Sequence, residues 1–263
     1  VGRVYSLVNQ KGGVGKTTTA INLGAYMAQM GQRVLIVDID PQANATASLG
    51  VDKHTVKGGI YEALLGGSPA AALVLANPRL KLSILPSSPS LAGAEVELVS
   101  ELGRESKLKQ ALAPILERFD YILVDCPPSL GLLTVNGLMA ARDGVLIPVQ
   151  CEYLALEGLG ELTRTLQRVR LALFPDLKVR GVVLTMYDGR TRLAGDVVGE
   201  VRKYFTDQVF VTIIPRSVRL AEAPSYGLPV SAYAPSSNAA QSYSSLAREL
   251  LSGDGVAIPL LQE

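Results

Sequence analysis

The stretch Lys11-Gly12-Gly13-Val14-Gly15-Lys16-Thr17-Thr18 limits the possible folds of this chain more than any other. It follows an apolar run at residues 4–8 and opens a helical pattern that continues to residue 30. A strand, a glycine turn and a helix start, in that order, make a phosphate-binding loop. Glycines leave the backbone N–H groups free to turn inward on a phosphate. The helix N-terminus behind them adds about half a positive charge. In such a loop Lys16 reaches the β- and γ-phosphates, and the Thr17 hydroxyl ligates Mg²⁺. The usual pattern, G-x-x-x-x-G-K-[ST], would start with a glycine where this chain has Gln10, and a second lysine, Lys11, follows.

Later segments repeat one theme. Residues 33–38, 121–125 and 144–149 are apolar runs, and residues 80–85, 179–186 and 209–214 also read as strands. Unbroken runs of this kind suit parallel strands buried on both faces. Helical patterns alternate with them. Residues 60–65 read as a helix, Ser90 is placed to cap one reaching Val99, and another spans residues 106–119, kinked or shortened at Pro114. Leu159, Leu162, Leu166, Val169 and Leu173 form a seam that fits a helix packed on a sheet better than a short coiled coil. Tyr243, Leu246 and Leu250 mark a last amphipathic helix. The expectation is α/β: one doubly wound domain over residues 1–252, with a mainly parallel sheet, helices on both faces, and a loose tail at 253–263. A length of 263 residues and 48% hydrophobic content suit one such domain.

Charge excludes one simple picture. With 25 basic and 24 acidic residues the net charge is +1, so any contact with nucleic acid must come from a local patch. The two cysteines, Cys126 and Cys151, stand in apolar surroundings and read as buried reduced thiols; no Cys-x-x-Cys pair is present to hold zinc or an iron–sulfur cluster. The first residues pass straight into a strand, so no signal peptide is read. No apolar run is long enough to cross a bilayer.

Three acids sit at the ends of apolar runs: Asp38, Asp40 and Asp125. Open α/β sheets place ligands at the carboxyl ends of their strands. Asp125 has the position of a Walker B carboxylate that orients water on Mg²⁺, Asp38 is a second candidate for the metal, and Asp40 is the candidate for orienting the attacking water. Residues 215–219 follow a later strand at the same edge. Lys11 to Thr18, Asp38-Ile39-Asp40-Pro41-Gln42, Asp125-Cys126-Pro127-Pro128-Ser129-Leu130, Pro148-Val149-Gln150-Cys151-Glu152-Tyr153 and the segment from Pro215 to Ser225 occur in this order. Together they resemble the small Soj-type ParA partition ATPases of the ParA/MinD superfamily, whose Walker A motif is deviant. The likeness covers the chain to about residue 250.

The resemblance implies a P-loop ATPase that uses ATP and Mg²⁺ and forms a homodimer when ATP is bound. It also implies non-specific binding of double-stranded DNA, a ParB-type partner that stimulates slow hydrolysis, and a cytoplasmic, nucleoid-associated life. By motif match Lys11 reaches the nucleotide of the other subunit, while Lys16, Thr17 and Asp40 take the phosphate, Mg²⁺ and hydrolytic roles. Gly12, Gly13, Val14, Gly15 and Thr18 complete the loop, Pro215 and Ser217 lie against the adenosine, and Arg190 and Arg219 contact DNA. Ala43 and Ser217 depart from the Gly and Asn common in close relatives. The loop begins too early to leave room for the DNA-binding extension of larger plasmid ParA proteins, so operator-specific repression is not expected. A MinD-like membrane-associated division-site ATPase is the alternative; it would need a basic amphipathic C-terminal helix, and residues 253–263 contain no Lys or Arg. An iron–sulfur carrier would need bridging cysteines, and an ATP-dependent ligase a small-molecule pocket.

Overall fold

The apolar runs become the strands of one sheet. The computed structural model describes residues 2–153 and 155–257. Its strands are β1 (Arg3–Leu7), β2 (Val34–Asp38), β3 (Leu75–Asn77), β4 (Leu82–Leu85), β5 (Tyr121–Asp125), β6 (Gly144–Gln150), β7 (Val179–Tyr187) and β8 (Val209–Pro215). They lie in the order β3-β4-β2-β5-β1-β6-β7-β8. Only the β3–β4 pairing is antiparallel. The helices are α1 (Lys16–Gln29), α2 (Asn44–Ser48), α3 (Ile60–Leu65), α4 (Ala70–Leu73), α5 (Leu91–Leu98), α6 (Lys107–Leu112), α7 (Leu132–Ala140), α8 (Ala155–Ala172), α9 (Arg192–Phe205), α10 (Val218–Glu222), α11 (Val230–Tyr233) and α12 (Asn238–Gly253).

Successive strand residues point to opposite faces, and both faces are dry. Tyr5 and Leu7 of β1 join Leu23 and Met27 of α1 and Leu246 and Leu250 of α12 on one face. Val4 and Val8 join Leu138 of α7 and Leu162 and Leu166 of α8 on the other. This is why the runs are continuous rather than alternating. After β1 the chain crosses on the α1 face; after β5 and β6 it crosses on the opposite face. The carboxyl end of β1, between β5 and β6, is therefore the switch point where such sheets bind ligands.

Several local expectations are met and others are corrected. α6 stops at Leu112 and a 3₁₀ turn over Ala113–Arg118 takes up Pro114, which has no N–H to continue the helix. The seam residues Leu159, Leu162, Leu166 and Val169 are buried in the α8–sheet core. Leu173 falls just past α8 and is exposed. Ser90 stands at the start of α5 but makes no cap; its hydroxyl pairs with Ser88 instead. β3 was not expected.

The start of the expected tail is anchored. Asp254, just past α12, has a buried side chain that accepts hydrogen bonds from the hydroxyls of Tyr5 (2.9 Å) and Tyr121 (3.0 Å) and from Arg180 Nε (3.0 Å). Its carbonyl accepts from Arg3 Nη2. Burial and the adjacent carboxylate push both tyrosine hydroxyls well above their ordinary pKa. Residues 258–263 of that tail lie outside the described residues. Asp254→Ala leaves two hydroxyls and a guanidinium without their acceptor, and should cost about 3 kcal/mol. Urea unfolding checks this; a loss below about 1 kcal/mol would mean water takes over the three donors.

Candidate functional site

The phosphate loop is held open by two glycines and pinned by two neighbours. Gly13 and Gly15 have φ of +74° and +91°. A side-chain-bearing residue there would cost about 1–2 kcal/mol. Asn9, at the end of β1, donates to the Pro148 carbonyl of β6 (2.8 Å) and accepts from the Lys11 N–H (3.0 Å). Thr185 of β7 donates to the Val14 carbonyl (2.8 Å). The loop is thus fixed to both strands on its open side. Sequence reasoning missed both anchors; the polar Asn9 directly after an apolar run was the one available signal.

The two lysines of the loop are placed differently. Lys16 is buried, and its ammonium donates to the Lys11 carbonyl at 3.3 Å. Burial lowers its pKa, and the Asp125 carboxylate opposes the shift. An ammonium carries three donors, so a buried one with a single long hydrogen bond is ready for phosphate oxygens. Lys11 is half-buried and does not line the cavity that Lys16 lines.

Asp125 shows the signature of a cation site. Thr17 Oγ1 donates to its Oδ2 at 2.6 Å, while its Oδ1 is buried with no hydrogen-bond partner. Burial and the carboxylate of Asp38, its register neighbour, push its pKa well up. A buried acceptor-only oxygen without a donor, beside a hydroxyl bonded to the same carboxylate, suits Mg²⁺, which Asp125 and Thr17 would hold together with phosphate oxygens. Among the described residues no group of three or more His, Cys, Asp or Glu side chains stands close enough to hold a metal ion.

Asp38 departs from the expected metal role. Its Oδ1 accepts from the Asp40 N–H (3.1 Å), and its Oδ2 from the Thr46 N–H (2.8 Å) and hydroxyl (2.7 Å). Both oxygens are taken, and burial still raises its pKa to about 6. Asp38 holds the turn at residues 40–46 in place. Ala43 sits in that turn with φ +51°, a left-handed conformation that a glycine would adopt without strain. The turn presents Asp40, whose carboxylate accepts from the Gln42 N–H (2.9 Å) and whose carbonyl accepts from Ser87 (2.8 Å).

A cavity of about 360 Å³ brings Lys16, Thr17 and Asp40 together with Pro128, Met186 and Pro224. Pro215 and Ser217, expected against the adenosine, do not line it. Pro215 ends β8 and Ser217 precedes α10. Met186 and Pro224 do line it, and Met186 has a left-handed φ of +52°. Backbone strain in a non-glycine residue at a cavity wall is a common mark of a ligand site. Cys126 and Cys151 are both free and buried, as expected.

The candidate DNA arginines lie outside this cavity. Arg190 makes a two-pronged contact with Asp188 (2.9 and 2.6 Å), which holds the Asp188 carboxyl down to about 2. Arg219 pairs with Glu222 at 2.9 Å, and Arg216 with Glu152 at 2.9 Å. All three guanidiniums are exposed.

The family model described as an AAA domain matches residues 2–179. A chromosome partitioning protein ParA of Myxococcus xanthus is 53% identical over 97% of this chain and 89% of its own length. A chromosome-partitioning ATPase Soj of Treponema pallidum is 50% identical over 97% of this chain and 99% of its own. Among solved structures, a Mycobacterium smegmatis protein named cobyrinic acid a,c-diamide synthase, with a bound ATP analogue and magnesium, is 39% identical, covers 100% of both chains and has a TM-score of 0.85. Likeness at this level, along the whole described chain and across its phosphate loop, means that the chain belongs to the ParA/Soj family of partition ATPases.

Proposed function

We propose that this chain is a DNA-partition ATPase that dimerises on ATP, binds DNA without sequence preference in that state, and hydrolyses ATP slowly until a ParB-type partner stimulates it. The unlike placement of the two loop lysines carries this reading. Lys16 points into its own cavity. Lys11, on the same loop but outside that cavity, is free to meet the phosphates of a nucleotide held by a second copy. The Gly12–Thr18 amides and Lys16 hold the ATP phosphates of their own subunit. Thr17 and Asp125 hold Mg²⁺, which would neutralise charge on the β- and γ-phosphates. Asp40, fixed by Asp38 and Ser87, orients the water that attacks the γ-phosphate.

DNA contact by Arg190 and Arg219 requires each to exchange its carboxylate for a phosphate. Exposed ion pairs are worth only about 0–1 kcal/mol, so the exchange is feasible. Arg190→Ala and Arg219→Ala should each weaken DNA binding roughly tenfold at moderate salt and lower the salt slope by about 2 per dimer. Glu222→Gln should strengthen it about two- to fivefold by releasing Arg219. Co-sedimentation with plasmid DNA in ATP, in ADP and without nucleotide tests the function itself. Binding only in ATP is expected; equal binding in all three would overturn the link to assembly.

Two other readings weaken on the same observations. A MinD-like membrane role would use an apolar helix face at the C-terminus, but Tyr243, Leu246 and Leu250 of α12 are covered by the sheet. No helix among the described residues is long and apolar enough to cross a membrane, which leaves a helix lying on the membrane surface untouched. The name of the Mycobacterium structure points to amide formation, which needs an acceptor cavity beside Lys16 and Asp40; DNA binding that depends on ATP would separate the two.

A further inference from the structure

A second cavity, also about 360 Å³, opens between the C-terminal half of α8, the end of α9 and the start of β7. β7 begins at this cavity and ends at Met186 and Tyr187 near the phosphate loop, so the two cavities stand roughly 25 Å apart at opposite ends of the sheet. Its floor is apolar: Leu166, Leu177 and Phe205 are buried there. Arg170 and Lys178 stand on its rim, and among the described residues no Asp or Glu lines it.

What sets the cavity apart is that its two cations meet over an apolar floor beside an exposed ring. The chain is nearly neutral, with 25 basic and 24 acidic residues, and Arg190, Arg216 and Arg219 each have a carboxylate partner. Among the described residues neither Arg170 nor Lys178 forms an ion pair. Beside them Tyr204 is 56% exposed. Phe205 braces its ring edge to face, with centroids 4.9 Å apart at 69°. An aromatic ring held in place but left uncovered offers a face for stacking. Gln167 and Gln208 add amide donors and acceptors at the rim.

We propose that this cavity binds a nucleotide, with its base on Tyr204 and its phosphate between Arg170 and Lys178. Guanidinium and ammonium groups together suit a phosphate, a planar base suits the tyrosine face, and the volume falls in the range of small-molecule sites. The site is separate from the phosphate loop, and the proposal does not depend on the partition reading.

The test uses the full chain with its phosphate loop saturated by ADP and Mg²⁺. Equilibrium dialysis then measures binding of dTMP, of the oligonucleotide (dT)8 and of inorganic phosphate. One equivalent of dTMP is expected, bound tighter than phosphate. The double variant Arg170→Ala/Lys178→Ala should weaken dTMP by at least about 30-fold while ADP binding and the thermal transition stay unchanged. Tyr204→Ala should weaken dTMP about tenfold and leave phosphate unaffected. Binding of (dT)8 that far exceeds dTMP and is lost in the double variant supports the site, with a nucleic acid strand as the source of the nucleotide. Absence of saturable binding of either probe up to millimolar concentration overturns it, as does equal binding by the double variant.

Discussion

Asp40→Ala protein is expected to bind ATP, to accumulate as a stable ATP dimer and to turn over at least about 100-fold more slowly than the parent. The side chain sits on the wall of the nucleotide cavity and accepts one backbone hydrogen bond. Its removal leaves the glycine loop, Lys16 and the Thr17–Asp125 pair in place. Ground-state affinity rests on those groups, so the binding constant should change little while kcat falls. Asp38 and Ser87 fix the turn that carries Asp40 through bonds to its backbone, and these survive the substitution. Single-turnover hydrolysis and light scattering in ATP measure both effects. Turnover within a few-fold of the parent would move the water-orienting role to another group.

Lys11→Ala is expected to abolish the ATP dimer while keeping nucleotide binding within roughly tenfold of the parent. Lys16→Ala should do the reverse at the first step, losing most nucleotide affinity. The contrast follows from position. Lys16 is buried within the cavity and bonded to the loop backbone, whereas Lys11 contributes its carbonyl to that bond and keeps its ammonium elsewhere. Across a dimer interface two Lys11 side chains would each meet a foreign triphosphate, so both contacts vanish together. Light scattering that shows a normal ATP dimer for Lys11→Ala would sink the trans role. DNA binding should fall with the dimer, because side-by-side subunits double the contacts on one duplex.

Much of this arrangement was legible because it is local. The apolar run ending in Asp125 gave β5 its bounds, since a strand buried on both faces stops where the first charge appears. The phosphate loop was read from its glycines for a similar reason: its conformation is set by residues adjacent in sequence. What failed is long-range. Asp38 and Asp125 look alike in the sequence, each a carboxylate closing an apolar run. They diverge because Thr46 folds back to satisfy one and Thr17 leaves an oxygen of the other open. Met186 and Pro224 line the cavity and Pro215 and Ser217 do not, a grouping hidden in the sequence because two loops meet there from distant parts of the chain. β3 is only three residues long, too short for any periodic signal.

The anchoring of Asp254 bears on how the molecule comes into being. β1 is made first and ends at the centre of the sheet. Its neighbours β5 and β6 are synthesised more than a hundred residues later, and the acceptor of the Tyr5 hydroxyl lies 249 residues on. At synthesis rates of about 5–20 residues per second, the first strand and the glycine loop behind it wait many seconds on the ribosome without a sheet to join. Contacts of such long sequence separation slow folding, and the waiting segment is apolar. The central strand therefore gains its two neighbours only after β6 is made, and the Tyr5 hydroxyl meets its acceptor only once Asp254 is in place, so this sheet closes from its middle late rather than strand by strand.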